Sequence, residues 1–346
     1  MRPSVIVISG VLLLVIAIPA WAAGQGNWDD CNQRGDIDRR INGCTAIIQD
    51  HNESEANRAR AYGNRGITYT NQGDFDRAIV DLSEAIRLDR TWAGGYSNRG
   101  RAYREKGDDR RAIADLTEAI RLDPRLVIAY YSRGRARNNI GDFDRAMADF
   151  NEAIRLDPTS SPFPYLWRGR LSRGRGEVDR AIADFTEAIR LDPKFEYSYL
   201  GRGQAYFQRG RIAESLADLD QAITLTPTEP NRWLWRELAA RRSNVPSRLH
   251  DLTSHIDMTV WPSPVVRLFL GQMTPSAVQA AADDPDPKKR RYQLCDVNFF
   301  GGELALLQGR QEDAERQLRQ AIIYCLEGSS ERDVARSELQ RLGLRL

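Results

Sequence analysis

Glycines recur along this chain at a spacing that few folds can accommodate. Gly66, Gly100 and Gly134 lie 34 residues apart, and Gly169 and Gly203 continue the series at 35 and 34. A second glycine trails each by seven residues, at Gly73, Gly107, Gly141, Gly176 and Gly210. Small residues follow at Ala78, Ala112, Ala146, Ala181 and Ser215, and the unit closes on Glu-Ala-Ile-Arg-Leu-Asp-Pro, as at Glu118 to Pro124 and Glu187 to Pro193. A fixed period of this length means one supersecondary unit copied several times. No copy can bury its apolar face alone, so neighbours stack.

Each unit reads as two helices. Asp74 to Asp89 carries Phe75, Ala78, Ile79, Leu82, Ala85 and Ile86 at helical spacing. Gly73 suits the end of the preceding helix and Asp74 the start of this one. Pro124, Pro158, Pro193 and Pro227 stop the second helix. The set Tyr62, Gly66, Tyr69, Ala78, Leu82 and Ala85, repeated as Tyr96, Gly100, Tyr103, Ala112, Leu116, Ala119 and Pro124, resembles the tetratricopeptide repeat. Arg137 and Ser172 replace that pattern's aromatic, and Arg90 its closing proline. The resemblance implies an all-α helical-hairpin solenoid, with five full repeats over 58–227, whose first helices line a protein-binding groove.

Atypical repeats flank the five. Gly35 to Ile41 copies Gly73 to Ile79, so 23–57 reads as N-terminal capping helices. The irregular segment from 228 holds a helix from Asn231 to Arg242, a partner helix over Pro246 to Met258, a Trp-Pro-Ser-Pro turn and short helices. Gly302, Gly309, Ala314, Leu318 and Ala321 then restore the register as a sixth repeat-like unit, closing a helical region over 228–346. In this register Cys31 and Cys44 face each other within one hairpin, and Cys295 and Cys325 sit at neighbouring ends of another. Two disulfides are expected, with four buried thiols as the alternative.

The first residues differ in kind. Arg2, an apolar run from Val5 to Ile18 and Pro19-Ala20-Trp21-Ala22 read as a secretory signal peptide over 1–22, too short for a membrane span. Export to the periplasm of an otherwise non-spanning chain is the expectation, with an uncleaved anchor as the alternative. No cysteine directly follows the apolar run, so lipid attachment there is not expected. A net charge of +2 gives no reason to expect a nucleic-acid partner.

Trp233-Leu234-Trp235, Trp261-Pro262-Ser263-Pro264 with Leu268 to Gly271, and Cys295-Asp296-Val297-Asn298-Phe299-Phe300-Gly301 with Glu303-Leu304-Ala305 resemble the C-terminal region of the NlpI-like tetratricopeptide proteins. Those are bacterial envelope scaffolds, usually lipoproteins. They tether peptidoglycan hydrolases and a periplasmic protease, and they form dimers. The resemblance implies an adaptor for envelope enzymes and a homodimer. Trp233, Trp235 and Trp261 are candidates for a dimer face, with core positions as the alternative.

What repeats in every unit is architecture, and what varies on the groove is function. Arg65, Arg99, Arg133, Arg168 and Arg202 each stand 16 residues before an aspartate, Asp81, Asp115, Asp149, Asp184 and Asp218. They read as a structural ladder of exposed pairs, each worth about 0–1 kcal/mol. On the groove, Arg101, Arg104, Arg135, Arg170 and Arg173 form a basic strip, joined by Asn64, Asn98, Tyr131, Trp167 and Phe207. Guanidinium groups pair bidentately with carboxylates and aromatic rings anchor, so an acidic segment of another protein is the expected ligand. A solvated basic face is the alternative.

Nothing points to catalysis, a cofactor or a metal. The three histidines are His51, His250 and His255, without metal-ligand spacing. No P-loop, G-x-S-x-G or H-E-x-x-H occurs, and Gly201-Arg202-Gly203 lies inside a helical repeat with no strand before it. The alternative is a small enzymatic or lipid-handling module within 228–346. A perturbed carboxylate or histidine in a deep tail pocket would favour it.

Overall fold

The computed structural model describes residues 20–33 and 35–345. The segment read as a signal peptide lies, up to Pro19, outside the described residues. All regular structure among the described residues is helical, in two compact units, one ending at Pro124 and the other beginning at Arg125.

The first unit holds α1 (Ala20–Asn32), α2 (Ile37–Gln49), α3 (Glu55–Gln72), α4 (Phe75–Leu88), α5 (Ala93–Glu105) and α6 (Asp109–Leu122), which pack pairwise in chain order. The Gly-Asp step sets each turn. Gly73 takes φ 81°, a left-handed cap that costs a residue with a Cβ but not glycine. Asp74 then accepts the backbone N–H of Arg77, and Asp36 and Asp108 do the same for Arg39 and Arg111. Close approach of the paired helices needs Gly66, where a Cβ would stand 2.8 Å from Leu82 Cγ. Burial of Leu82 and Leu116 stabilises each hairpin by about 1.5–3 kcal/mol per side chain.

The second unit continues the hairpins with α7 (Val127–Asn139), α8 (Phe143–Leu156), α9 (Phe163–Gly174), α10 (Val178–Leu191), α11 (Glu196–Arg209), α12 (Ile212–Leu225) and α13 (Pro230–Arg242). Short helices α14 (Leu249–Leu252), α15 (Ser263–Phe269) and α16 (Pro275–Ala281) follow. Then come α17 (Pro287–Leu307), its antiparallel partner α18 (Gln311–Tyr324) and α19 (Ser330–Arg341). The expected partner helix over Pro246 to Met258 shrinks to α14, because Asn244 turns the chain with φ 55° and 243–248 run as turn and coil. The main core of this unit joins α11, α13 and the tail around Phe207, Trp233, Trp235, Phe299 and Phe300. Trp233 and Trp235 are therefore core residues and not a dimer face.

The Arg–Asp ladder is built as expected but sits deeper. Arg65 donates through Nε and Nη2 to both oxygens of Asp81, at 2.7 and 2.9 Å. Arg99–Asp115, Arg133–Asp149, Arg168–Asp184 and Arg202–Asp218 repeat this geometry. The third nitrogen reaches back one repeat, from Arg99 to Ser83 Oγ, Arg168 to Asn151 Oδ1 and Arg202 to Thr186 Oγ1, so these rungs also fix the stacking of neighbours. The aspartates are only 4–12% exposed. The exposed-pair estimate thus gives way to that of a buried pair, in which removing one partner strands the other's charge.

Cys31 on α1 is bonded to Cys44 on α2, and Cys295 on α17 to Cys325 at the end of α18. The second bridge closes a loop of 30 residues just before α19. Replacing Cys295 and Cys325 by serine is expected to cost roughly 3–4 kcal/mol in the loop-entropy account. Two bridges should also show in the intact mass of the unreduced protein; four free thiols there would contradict them.

Candidate peptide-binding groove

In the first unit the expected groove residues are partly engaged. Asn64 donates to Asn32 on α1 at 3.1 Å, and Asn98 donates to the carbonyl of Gly94 at 2.8 Å within its own helix. Arg101 donates to Asn71 at 2.8 Å. Arg104 is 8% exposed and pairs with Glu105, which corrects its reading as a groove contact.

The second unit carries a denser arrangement. On α7 and α9, one turn apart in each case, stand Tyr131 with Arg135 and Trp167 with Arg170. The Arg135 guanidinium lies 4.5 Å from the centre of the Trp167 ring, and that of Arg170 lies 4.9 Å from the same ring. Arg170 is also 5.9 Å from the Tyr197 ring, which Arg232 approaches at 5.7 Å. A row of rings runs beside them, Tyr131 to Phe163 at 6.0 Å, Phe163 to Phe195 at 4.9 Å and Phe195 to Tyr197 at 5.8 Å. Phe163 and Tyr197 are 44% and 45% exposed. Neither Arg135 nor Arg170 is ion-paired with a carboxylate among the described residues. Burial, and then the charges of Arg173 and Arg135, bring the Arg170 pKa down to about 10. The described residues concentrate positive charge here without pairing it to a carboxylate.

Two other expected groove residues are covered. Arg173, 2% exposed, donates to Gln204 Oε1 at 2.8 Å and lies 3.6 Å from Asp333 on α19. Phe207 is wholly buried, edge-on to Trp235 at 5.5 Å with Arg242 stacked on it at 4.1 Å. It belongs to the core, which corrects its reading as a groove aromatic.

What covers Arg173 is α19, which sequence reasoning left unread. Its Ser330 donates to Gln204, Gln208 donates to Ser337 at 2.8 Å, and Arg341 donates to the Gln208 carbonyl. Glu331 accepts from the Trp235 indole at 3.3 Å, and Glu338 lies 3.0 Å from Arg242. Val334, Ala335 and Leu339 seal the same face against the core. Ser329 caps the helix by accepting the Arg332 N–H, and that serine ahead of an apolar pattern was the available signal.

The tail also buries carboxyl groups. Asp296 accepts from the Trp261 indole at 2.9 Å, and burial, then the charge of Glu331, raise it to about 8. Glu303 is held by Arg242 at 2.6 Å yet is raised by burial to about 7, and burial raises Asp333 to about 6. Asp333 lines a cavity of about 110 Å³ with Leu171, Gly174 and Glu327. An acid whose folded pKa is raised keeps its proton in the native state while the unfolded chain has lost it. These groups therefore withdraw stability as pH rises from about 4 through about 8, at up to about 1.4 kcal/mol per pH unit for each group. Tm is expected to fall from pH 5 to pH 8, and Asp296→Asn to flatten part of that slope. A wild-type Tm that rises over the same range would contradict the burial.

Among the described residues no cluster of His, Cys, Asp and Glu is arranged to hold a metal ion, and no helix is long and apolar enough to cross a membrane.

Stacked antiparallel hairpins with an unpaired guanidinium and aromatic site define a helical-repeat protein-binding scaffold. The family model for the tetratricopeptide repeat matches residues 59–91, 97–161 and 168–230. The chain is a tetratricopeptide-repeat protein. A tetratricopeptide repeat protein from Parabacteroides merdae shares its fold at 15% identity and TM-score 0.50, covering 81% of this chain and 98% of that one. YrrB, a tetratricopeptide-repeat protein with an unusual peptide-binding site, is similar at 20% identity and TM-score 0.44, over 56% of this chain and 96% of its own. MamA is similar at 26% identity and TM-score 0.43, over 48% and 96%. No curated protein matches the chain.

Proposed function

We propose that this protein is a non-catalytic, exported scaffold that recruits enzymes of the bacterial cell envelope through an acidic segment of the partner. The observation that carries the binding mode is the pair Arg135 and Arg170, both stacked on Trp167 and neither matched by a carboxylate among the described residues. Charge-assisted hydrogen bonds to a partner's carboxylates would supply the missing counter-charge, and Phe163 and Tyr197 offer apolar contact beside them. The two disulfides suit an oxidising compartment such as the periplasm. Peptidoglycan hydrolases or a periplasmic protease as partners rest on the resemblance of the C-terminal region to the NlpI-like scaffolds.

The three raised carboxyls favour, as a second reading, a catalytic or lipid-handling tail. Their surroundings speak for structure. Asp296 is held by an indole and Glu303 by Arg242, and Asp333 faces Arg173. Crosslinked capture from envelope extract by the full chain tests the proposal. Recovery of hydrolases or a protease supports it, and recovery of no envelope enzyme overturns it.

A further inference from the structure

The groove in the second unit is divided. The stretch formed by Arg173, Gln204, Gln208 and Arg242 is occupied by α19, and the stretch formed by Tyr131, Arg135, Trp167 and Arg170 is open. The occupied stretch records how this surface binds a segment of chain. α19 meets it through Ser330, Glu331, Asp333, Ser337, Glu338 and Arg341, a spacing that puts all six side chains on one face of a helix. Acidic and hydroxyl groups point into the groove, and α19 forms its backbone hydrogen bonds internally.

The open stretch presents the same chemistry with fewer acceptors. The amide side chains of α11, Gln204 and Gln208, are engaged by α19. What remains is dominated by guanidinium groups, which only donate, with acceptors at the Asn138 amide and the Tyr131 and Tyr197 hydroxyls. An extended peptide lying there would bring more backbone N–H groups than these few acceptors can receive, and an unpaired buried N–H is costly. A helix pairs all of them internally except those of its first turn. Two guanidiniums held on one indole are also near enough to meet carboxylates one or two helical turns apart on a single face.

We infer that the open stretch between α7 and α9 takes its partner as an amphipathic α-helix whose acidic face meets Arg135 and Arg170 and whose apolar edge meets Phe163 and Tyr197. This rests on the acidic-segment reading above. The partner helix would lie in the groove that α19 already shares, as a helix supplied from another chain.

Two synthetic peptides of about 16 residues, of identical glutamate, alanine and leucine content, test this by calorimetry on the full chain. One forms a helix with its glutamates on one face; the other carries alternating D-residues that forbid a helix. The helix-former is expected to bind at least about tenfold more tightly, since the broken peptide leaves N–H groups unpaired. Its helicity should rise on binding, and Arg135→Glu with Arg170→Glu should remove the binding. Equal or tighter binding of the broken peptide overturns the helix and leaves the acidic-segment reading standing. Binding of neither, or equal binding to the double variant, overturns both.

Discussion

Arg135→Glu combined with Arg170→Glu is expected to weaken partner binding at least about a hundredfold, because two charge-assisted contacts become two repulsions. Folding should be nearly untouched. Neither guanidinium is ion-paired with a carboxylate among the described residues, and the charges of Arg173 and Arg135, after burial, already disfavour the Arg170 cation. Titration calorimetry with a captured partner measures the first effect and a melting curve the second. Affinity within about threefold of wild type would show that this cluster is a solvated basic face. The same charge reversal at Arg65 would behave differently. It would break a bidentate pair with buried Asp81 and a contact to Thr45, so it should unfold the hairpin before it informs on binding.

Trp235→Ala is expected to cost about 3–5 kcal/mol, the range for a large aromatic truncated in a packed core. The ring is wholly buried, lies 5.5 Å from Phe207, 5.0 Å from Phe299 and 6.2 Å from Phe300, and donates to Glu331 at 3.3 Å. It therefore joins α11 and α13 to α17 and α19. The melting temperature of the second unit should drop by on the order of 10 °C. Trp235→Phe keeps most of the packing and loses only the bond to Glu331, so its cost should stay near 1 kcal/mol. A drop of under about 3 °C for the alanine variant would mean that the tail is held to the last repeat elsewhere.

The hairpins were legible because glycine at Gly66 and Gly73, aspartate at Asp74 and the 34-residue period each admit few alternatives. The Arg–Asp rungs were legible because repetition at a fixed 16-residue offset puts both partners on paired helices. Their depth was not, since a period names a helix face and not what lies over it. The same gap explains Arg173. Its position marks it as groove-facing, and it does face the groove, but α19 fills that part of it. Glu331, Asp333 and Glu338 look in sequence like solvated surface charge, and nothing in a repeat register connects them to residues over 90 positions earlier. Phe207 shows the converse. It occupies a groove position in register, yet the irregular tail packs on it and makes it core. The signals that failed therefore cluster where the non-repetitive segment folds back on the repeats.

In the proposed binding mode α7 and α9 carry the partner-binding site and α19 stays in place. Hydrogen exchange of the free protein and of its complex with a captured partner tests this most directly. New protection is expected over 127–139 and 163–174, with 330–341 protected equally in both states. Protection confined to the tail helices, or loss of protection in α19 on binding with none gained in α7 and α9, would contradict it.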